Sequence, residues 1–251
     1  MKPILIAGPC VIEPEEIMME IAECLSSIKN EFDIDIIFKA SFDKANRTSL
    51  TSYRGPGMIE GLKILSDLKS RYGLKVTTDI HESYQADAVA EVANIIQIPA
   101  LLCRQTDLIT AAAKSHKIIN IKKGQFLSGE DMKFAIEKAR NGGAEQVWAT
   151  ERGNTFGYNN NVVDFRNIPV MKKYADAVIM DCTHSVQTPN TSGGTSGGNH
   201  EYIGCMALAA KAFNADGYFF EVHPEPAKAS SDSKCSLQLD LLRPILNTLL
   251  Y

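Results

Sequence analysis

Short runs of β-branched and aliphatic residues recur along the chain, each followed by a stretch with helical spacing, and this alternation restricts the fold more than any other feature. The runs fall at 3–8, 36–41, 75–80, 95–99, 118–122, 146–150, 177–181 and 217–222. Between them lie amphipathic segments such as 14–28, with Ile17, Ile21, Leu25 and Ile28 on one face, and 58–71, with Ile59, Leu62, Leu65 and Leu68 on one face. Strands separated by helices pair in parallel, and eight such units predict closure into an α/β structure of the (β/α)8 TIM-barrel type. A doubly wound open sheet is the alternative, but it does not call for eight units. The length of 251 residues suits one barrel, so residues 1–251 are expected to form a single catalytic domain.

The balance of charge narrows the partners. With a net charge of −4 and a pI near 5.8, the molecule as a whole repels nucleic acid and anionic membranes, so any anion site must be local. The apolar run at 3–8 is too short for a signal peptide or a membrane span, and a cytoplasmic protein is expected. The six cysteines (10, 24, 103, 182, 205 and 235) show no CxxC pairing and are expected to be thiols.

Functional groups of a barrel sit where its strands end, at the C-terminal face. Read in order, the residues at those ends are Cys10, Lys39 with Lys44, Asp79 with His81, Gln97, Lys122, Arg152, His184 and Glu221. Lys39 directly follows Ile36, Ile37 and Phe38, so it emerges from a buried strand, and with Lys44 and Arg47 it concentrates positive charge that calls for an anion. Glu221, among Phe219, Phe220 and Val222, needs a cation or a proton if it is buried. Lys122 shares the strand parity of Asn120 and is expected to face inward, which turns Lys123 outward. Arg152 can serve the mouth or pair structurally with Glu151, and Asp232 by itself reads as the N-cap of the final helix. The segment 192–198 holds only Ser, Gly and Thr, and a flexible loop, either a linker or a lid over the mouth, is expected there. The turn-rich stretch 153–160 is expected to shape the rim. A thiolate, an imidazole and carboxylates together suit a divalent transition metal, although no local spacing joins them.

The segment Lys39-Ala40-Ser41-Phe42-Asp43-Lys44-Ala45-Asn46-Arg47-Thr48-Ser49 resembles the signature of the 3-deoxy-D-manno-octulosonate 8-phosphate synthase family, and the likeness runs from Gly8-Pro9-Cys10 to His223-Pro224. That family condenses phosphoenolpyruvate with arabinose 5-phosphate in lipopolysaccharide precursor synthesis. The related heptulosonate-phosphate synthases typically have Lys-Pro-Arg-Thr-Ser where this chain has Lys44-Ala45-Asn46-Arg47-Thr48-Ser49, which makes them the enzyme alternative; a sugar-phosphate-binding barrel without catalysis is the non-enzyme one. The resemblance implies that Lys39, Lys44, Lys122 and Arg152, with Gln97, hold phosphoenolpyruvate, and that Asn46 and Arg47 hold the pentose phosphate. It implies a metal-dependent enzyme, because that branch has cysteine where the metal-independent one has asparagine. The ligands so implied are Cys10, His184, Glu221 and Asp232, for zinc, iron, manganese or cobalt. Lys122, His184 and Asp232 are the implied catalytic groups, with phosphate leaving by C–O cleavage. A homotetramer is implied too, with Arg104 reaching the neighbouring subunit's pentose phosphate. Near the end of the glycine-rich loop the family commonly carries an arginine, where this chain has Asn199-His200.

Overall fold

The computed structural model describes residues 2–47, 49–155, 159–192 and 195–251, with the backbone alone at 190–192, 195 and 196. The first half runs β1 (Ile4–Gly8), α1 (Glu15–Glu31), β2 (Asp35–Lys39), α2 (Met58–Tyr72), β3 (Lys75–Asp79), α3 (Ala86–Val92), β4 (Ile95–Ile98) and α4 (Thr106–Ala113). The second runs β5 (Ile118–Lys122), α5 (Met132–Asn141), β6 (Gln146–Glu151), α6 (Asn167–Met171), β7 (Ala177–Asp181), β8 (Gln187–Ser192), β9 (Thr195–Gly198), α7 (Ile203–Ala212), β10 (Gly217–His223), β11 (Leu237–Gln238) and α8 (Leu239–Leu250). Strands β1 to β7 and β10 pair in parallel in sequence order. The sheet closes where β1 pairs β10, with Ile4 opposite Gly217 and Gly8 opposite Glu221. The eight predicted runs are therefore the eight staves of one (β/α)8 barrel.

Parity along the strands separates two apolar regions. Leu5, Ala7, Ile36, Phe38, Val76, Ile119, Ile121, Val147 and Ala149 join the helix faces in the large core outside the barrel. Ile4, Ile6, Ile37, Ile95, Trp148, Ala177, Ile179 and Phe219 plug the inside. Two residues further along the same strands, the inward positions become polar: Lys39, Gln97, Thr150, Asp181 and Glu221, joined by Lys122 and Arg152. The interior is thus apolar at the N-terminal end and charged at the C-terminal mouth.

Two sequence expectations are corrected here. Ile59, read as part of the buried stripe of α2, is 85% exposed, because that helix packs through Gly61, Leu62, Leu65 and Leu68 and the turn of the helix carries Ile59 off that face. The segment 192–198, read as a flexible loop, belongs to an antiparallel hairpin: β8 and β9 pair with Gln187 opposite Gly198 and Ser192 opposite Thr195. Residues 193 and 194, and 156–158 of the predicted rim turn, lie outside the described residues. Among the described residues no helix is long and apolar enough to cross a membrane.

Candidate active site

Four chain-distant donors converge at the mouth. Cys10 lies just past β1, His184 opens the turn after β7, Glu221 is on β10, and Asp232 sits on the loop beyond it. One ligand atom from each lies within 4.8 Å of all the others. Cys10 Sγ is 3.0 Å from Asp232 Oδ2 and 2.9 Å from Ser231 Oγ. His184 Nε2 is 3.3 Å from Glu221 Oε1 and 3.5 Å from Asp232 Oδ2. Asp232 is not the N-cap of the last helix, since α8 begins only at Leu239. Instead its backbone takes a left-handed conformation (φ +49°), an uncommon state for a non-glycine residue. The loop is held in that state by several bonds. Gln187 Nε2 donates to Asp232 Oδ1 (2.9 Å), the Cys235 and Ser236 amides donate to the Asp232 carbonyl, and Ser230 donates its N–H and hydroxyl to Glu13.

The chemistry of this cluster fits a divalent transition metal. Its donors are one sulfur, one nitrogen and two carboxylates, the set that zinc and its neighbours accept. The buried Glu221 Oε2 has no hydrogen-bond partner among the described residues. Burial raises the Cys10 thiol well above its usual range, and the charges of Asp232 and Glu221 push it further, so a bound cation is what would favour the thiolate. Asp181 Oδ2, 2.7 Å from His184 Nδ1, takes that nitrogen's proton in a hydrogen bond and leaves Nε2 facing the carboxylates.

A layer of cations adjoins the donors. Lys39 Nζ donates to the Cys10 carbonyl (3.0 Å), Ser41 Oγ (3.0 Å) and Glu221 Oε1 (3.4 Å). Ser41 in turn donates to Asp79, whose other oxygen is 3.1 Å from His81 Nε2. Lys44 is partly buried; burial opposes its charge, but the fields of Cys10, Glu221, Asp79 and Asp232 outweigh that and raise its pKa. Lys122 Nζ lies 2.5 Å from Asp181 Oδ2, 3.3 Å from His184 Nδ1 and 3.8 Å from the centre of the Phe219 ring. Burial wins there and lowers the Lys122 pKa, although Asp181 pulls the other way. Among the described residues the buried Arg152 guanidinium donates only to amide oxygens, Asn161 Oδ1 at 3.3 Å and Gln187 Oε1 at 3.2 Å. A buried guanidinium with neutral partners is a receptor for an anion. Gln97 Oε1 is likewise buried without a partner among the described residues.

Other sequence-predicted residues lie outside this cluster. Arg47 sits at the rim, donating to the carbonyls of Tyr53 (3.1 Å) and Ser230 (3.2 Å), and Asn46 is exposed beside it. Arg104 is exposed before α4, and its guanidinium makes no hydrogen bond or ion pair within the chain among the described residues. His200 is exposed as well. Lys123 does face away from the barrel interior but is fully buried, and it takes the ion pair with Glu151 (3.4 Å) that Arg152 could have had. Asp181, Ser41, Ser231, Gln187, Asn161 and Glu13 were not singled out from the sequence. Only Asp181 carried a usable signal, an acid at the inward end of an apolar strand; Gln187 opens β8, and the others reach the mouth through loops.

A closed β/α barrel with a mixed-donor cluster and a ring of buried cations at its C-terminal mouth defines a TIM-barrel enzyme built around charged substrates. The chain belongs to the DAHP synthetase I family, whose sequence model matches residues 1–249. It is 52% identical over 247 residues to the 2-dehydro-3-deoxyphosphooctonate aldolase of Desulfatibacillum aliphaticivorans, an alignment covering 98% of this chain and 90% of that one. Enzymes of the same name from Campylobacter jejuni (50% over 260 residues, 99% and 96% covered) and Helicobacter hepaticus (49% over 257 residues, 98% and 95% covered) are similarly close.

Proposed function

We propose that this chain condenses phosphoenolpyruvate with D-arabinose 5-phosphate and water to give 3-deoxy-D-manno-octulosonate 8-phosphate and inorganic phosphate, in lipopolysaccharide precursor synthesis. The observation that carries the proposal is that the anion-binding layer and the four-donor cluster touch: Lys39 reaches Glu221 (3.4 Å) and Lys122 reaches His184 (3.3 Å). The names of the relatives support the same activity. Lys39, Lys44, Lys122 and Arg152 neutralise the carboxylate and phosphate of phosphoenolpyruvate, and Gln97, buried at the end of β4, helps position it. Asn46 and Arg47, at the rim, receive the pentose phosphate.

In the reaction a C–C bond forms between C3 of phosphoenolpyruvate and the pentose aldehyde carbon, water oxygen adds at C2, and the C2–O bond to phosphate breaks. Cys10, His184, Glu221 and Asp232 would hold a divalent transition metal, whether zinc, iron, manganese or cobalt, which when bound supplies a Lewis acid for a substrate oxygen or lowers the pKa of a water. Lys122, its basicity reduced by burial, holds or moves a proton at Nζ beside His184 (3.3 Å). The enzyme is further proposed to be a cytoplasmic homotetramer in which Arg104 contacts the neighbouring subunit's pentose phosphate, with neither nucleic acid nor membrane as partner.

Phosphate release from phosphoenolpyruvate, measured with arabinose 5-phosphate or erythrose 4-phosphate and with or without chelator, tests the proposal. Turnover with the pentose, abolished by chelator, is expected. Turnover with the tetrose alone would make the chain a heptulosonate-phosphate synthase. Tight binding without phosphate release would make it a sugar-phosphate-binding barrel.

A further inference from the structure

Lys123 and Glu151 are a buried ion pair outside the mouth, unused by the chemistry above. They share the parity of Ile121 and Ala149 and so lie between the sheet and the helix layer, each with a side chain 0% exposed. Lys123 Nζ is surrounded by five oxygens: Asn154 Oδ1 (2.7 Å), the carbonyls of Leu127 (3.2 Å), Gly153 (3.2 Å) and Gly124 (3.4 Å), and Glu151 Oε1 (3.4 Å). Two of these come from the loop after β5 and three from the exit of β6. Glu151 Oε1 also accepts the backbone N–H groups of Arg152 (3.0 Å) and Gly153 (2.7 Å). Gly153 has φ +87°, and the loop turns there.

We propose that Lys123 is a positioning residue for phosphoenolpyruvate: its ammonium clamps the β5 loop to the β6 exit and thereby fixes the backbone from which Arg152 enters the mouth. This rests on the proposed function, in which Arg152 binds phosphoenolpyruvate. An ammonium has only three N–H donors, so it acts here as a cation attracting a cage of oxygens as well as a hydrogen-bonding group. Without it those oxygens face one another in a dry interior with one uncompensated carboxylate among them, and the β6 exit shifts against the β5 loop, the two then joined by the Asn154 Nδ2 bond to the Leu127 carbonyl (2.7 Å) and the Thr155 N–H bond to the Gln125 carbonyl (3.1 Å). Arg152 is the group that feels the shift. Lys122 is held independently by Asp181 at 2.5 Å, whereas the Arg152 guanidinium has, among the described residues, the amides of Asn161 and Gln187, so its aim depends on the backbone on which it sits.

The test is Lys123→Ala, assayed by steady-state kinetics and by equilibrium binding of phosphoenolpyruvate. Misplacing a positioned group costs roughly ten- to a hundredfold, so KM and Kd for phosphoenolpyruvate should rise by that factor while KM for the pentose phosphate stays near its original value. Ammonium chloride, compared with choline chloride at equal ionic strength, should refill the cage and recover much of the lost affinity. Unchanged phosphoenolpyruvate affinity would overturn the proposal, as would a loss shared equally by both substrates and indifferent to ammonium. If Lys123→Ala does not fold, the doubly neutral Lys123→Met/Glu151→Gln removes the clamp without leaving a buried charge. It should show the same selective loss, and wild-type affinity in it would overturn the proposal. Arg152→Ala separates the two inferences: if it leaves phosphoenolpyruvate binding intact, the role given to Arg152 fails and this one with it. If Arg152→Ala weakens binding and Lys123→Ala does not, the Lys123 proposal alone falls.

Discussion

Cys10 is the residue whose environment most clearly sets its chemistry. It is 4% exposed, faces Ser231 and Asp232, and is pushed toward the neutral thiol by burial and by the neighbouring carboxylates. A free cysteine so placed is inert unless a cation joins it, and the orphaned oxygen of Glu221 points to the same need. Cys10→Asn replaces a soft anionic ligand with a neutral amide of similar size. Metal content after purification and dialysis should fall relative to the parent, and the chelator-sensitive part of phosphate release should shrink with it; unchanged metal content would remove Cys10 from the site. In the parent, removing metal should abolish turnover and a divalent transition metal should restore it.

At the scale of elements, the seam between β1 and β10 holds the site together, because Gly8 and Cys10 approach Glu221 only if the barrel closes there. Gly217 opens β10 at that seam. A Cβ at this position would lie 2.5 Å from the Ile4 carbonyl oxygen, 2.6 Å from Ile4 Cβ and 2.8 Å from Ile179 Cδ1. Two of those atoms cannot swing away as a side-chain tip can, so the strands must part. Overpacking of this kind typically costs about 1–3 kcal/mol, and Gly217→Ala should lower the urea midpoint accordingly with an unchanged m-value. A midpoint equal to the parent's would mean that the seam yields more easily than its contacts imply. The β8–β9 hairpin lies beside the same mouth, and Gly198 packs where a Cβ would be 2.6 Å from Cys235 Cβ, so the hairpin is seated on the loop that carries Asp232.

For the whole molecule, buried charge makes stability depend on acid. Burial alone would raise the Asp79 carboxyl, but the hydrogen bond from His81 and the charges of Lys39, His81 and Lys44 hold it well below the ordinary carboxylate range. Burial of Asp181 is likewise outweighed by His184 and Lys122. In the unfolded chain both return to about 4, so near and below that pH the unfolded state binds more protons than the native one. Their contribution is therefore fully present above the unfolded value and is lost as pH falls toward the folded ones. The thermal midpoint should hold between neutrality and about pH 5 and drop below about pH 4, and Asp79→Asn should flatten that drop. An acid limb identical in Asp79→Asn would show that this carboxylate does not drive it. Assembly is the other question at this scale. A charged hydrogen bond to phosphate is worth about 1.5–3 kcal/mol, so Arg104→Ala should raise KM for arabinose 5-phosphate roughly ten- to a hundredfold and barely affect phosphoenolpyruvate. An equal effect on both substrates, or a monomeric mass in solution, would refute the contact across subunits.

The barrel itself was legible in the amino-acid sequence, because what defines it is local. Strand runs, helical stripes and side-chain parity repeat over a few residues, and parity alone carries Lys39, Gln97, Lys122 and Glu221 to the inward face. Residues at strand ends could be collected in advance for the same reason: a parallel barrel gathers the ends of all its strands at one mouth. Contacts made across the closed ring left no such trace. Asp232 stands 222 residues from Cys10, and their 3.0 Å approach depends on a loop that returns to the mouth in a left-handed turn held by Glu13 and Gln187. The sharing of Asp181 between Lys122 and His184, the exchange of Glu151 from Arg152 to Lys123, and the pairing of a Ser/Gly/Thr segment into β9 were also decided by the tertiary structure. Each of these is a choice among partners of similar chemistry. Sequence spacing lists the candidates, and only the closed barrel sets which of them are near enough, and dry enough, to bind one another.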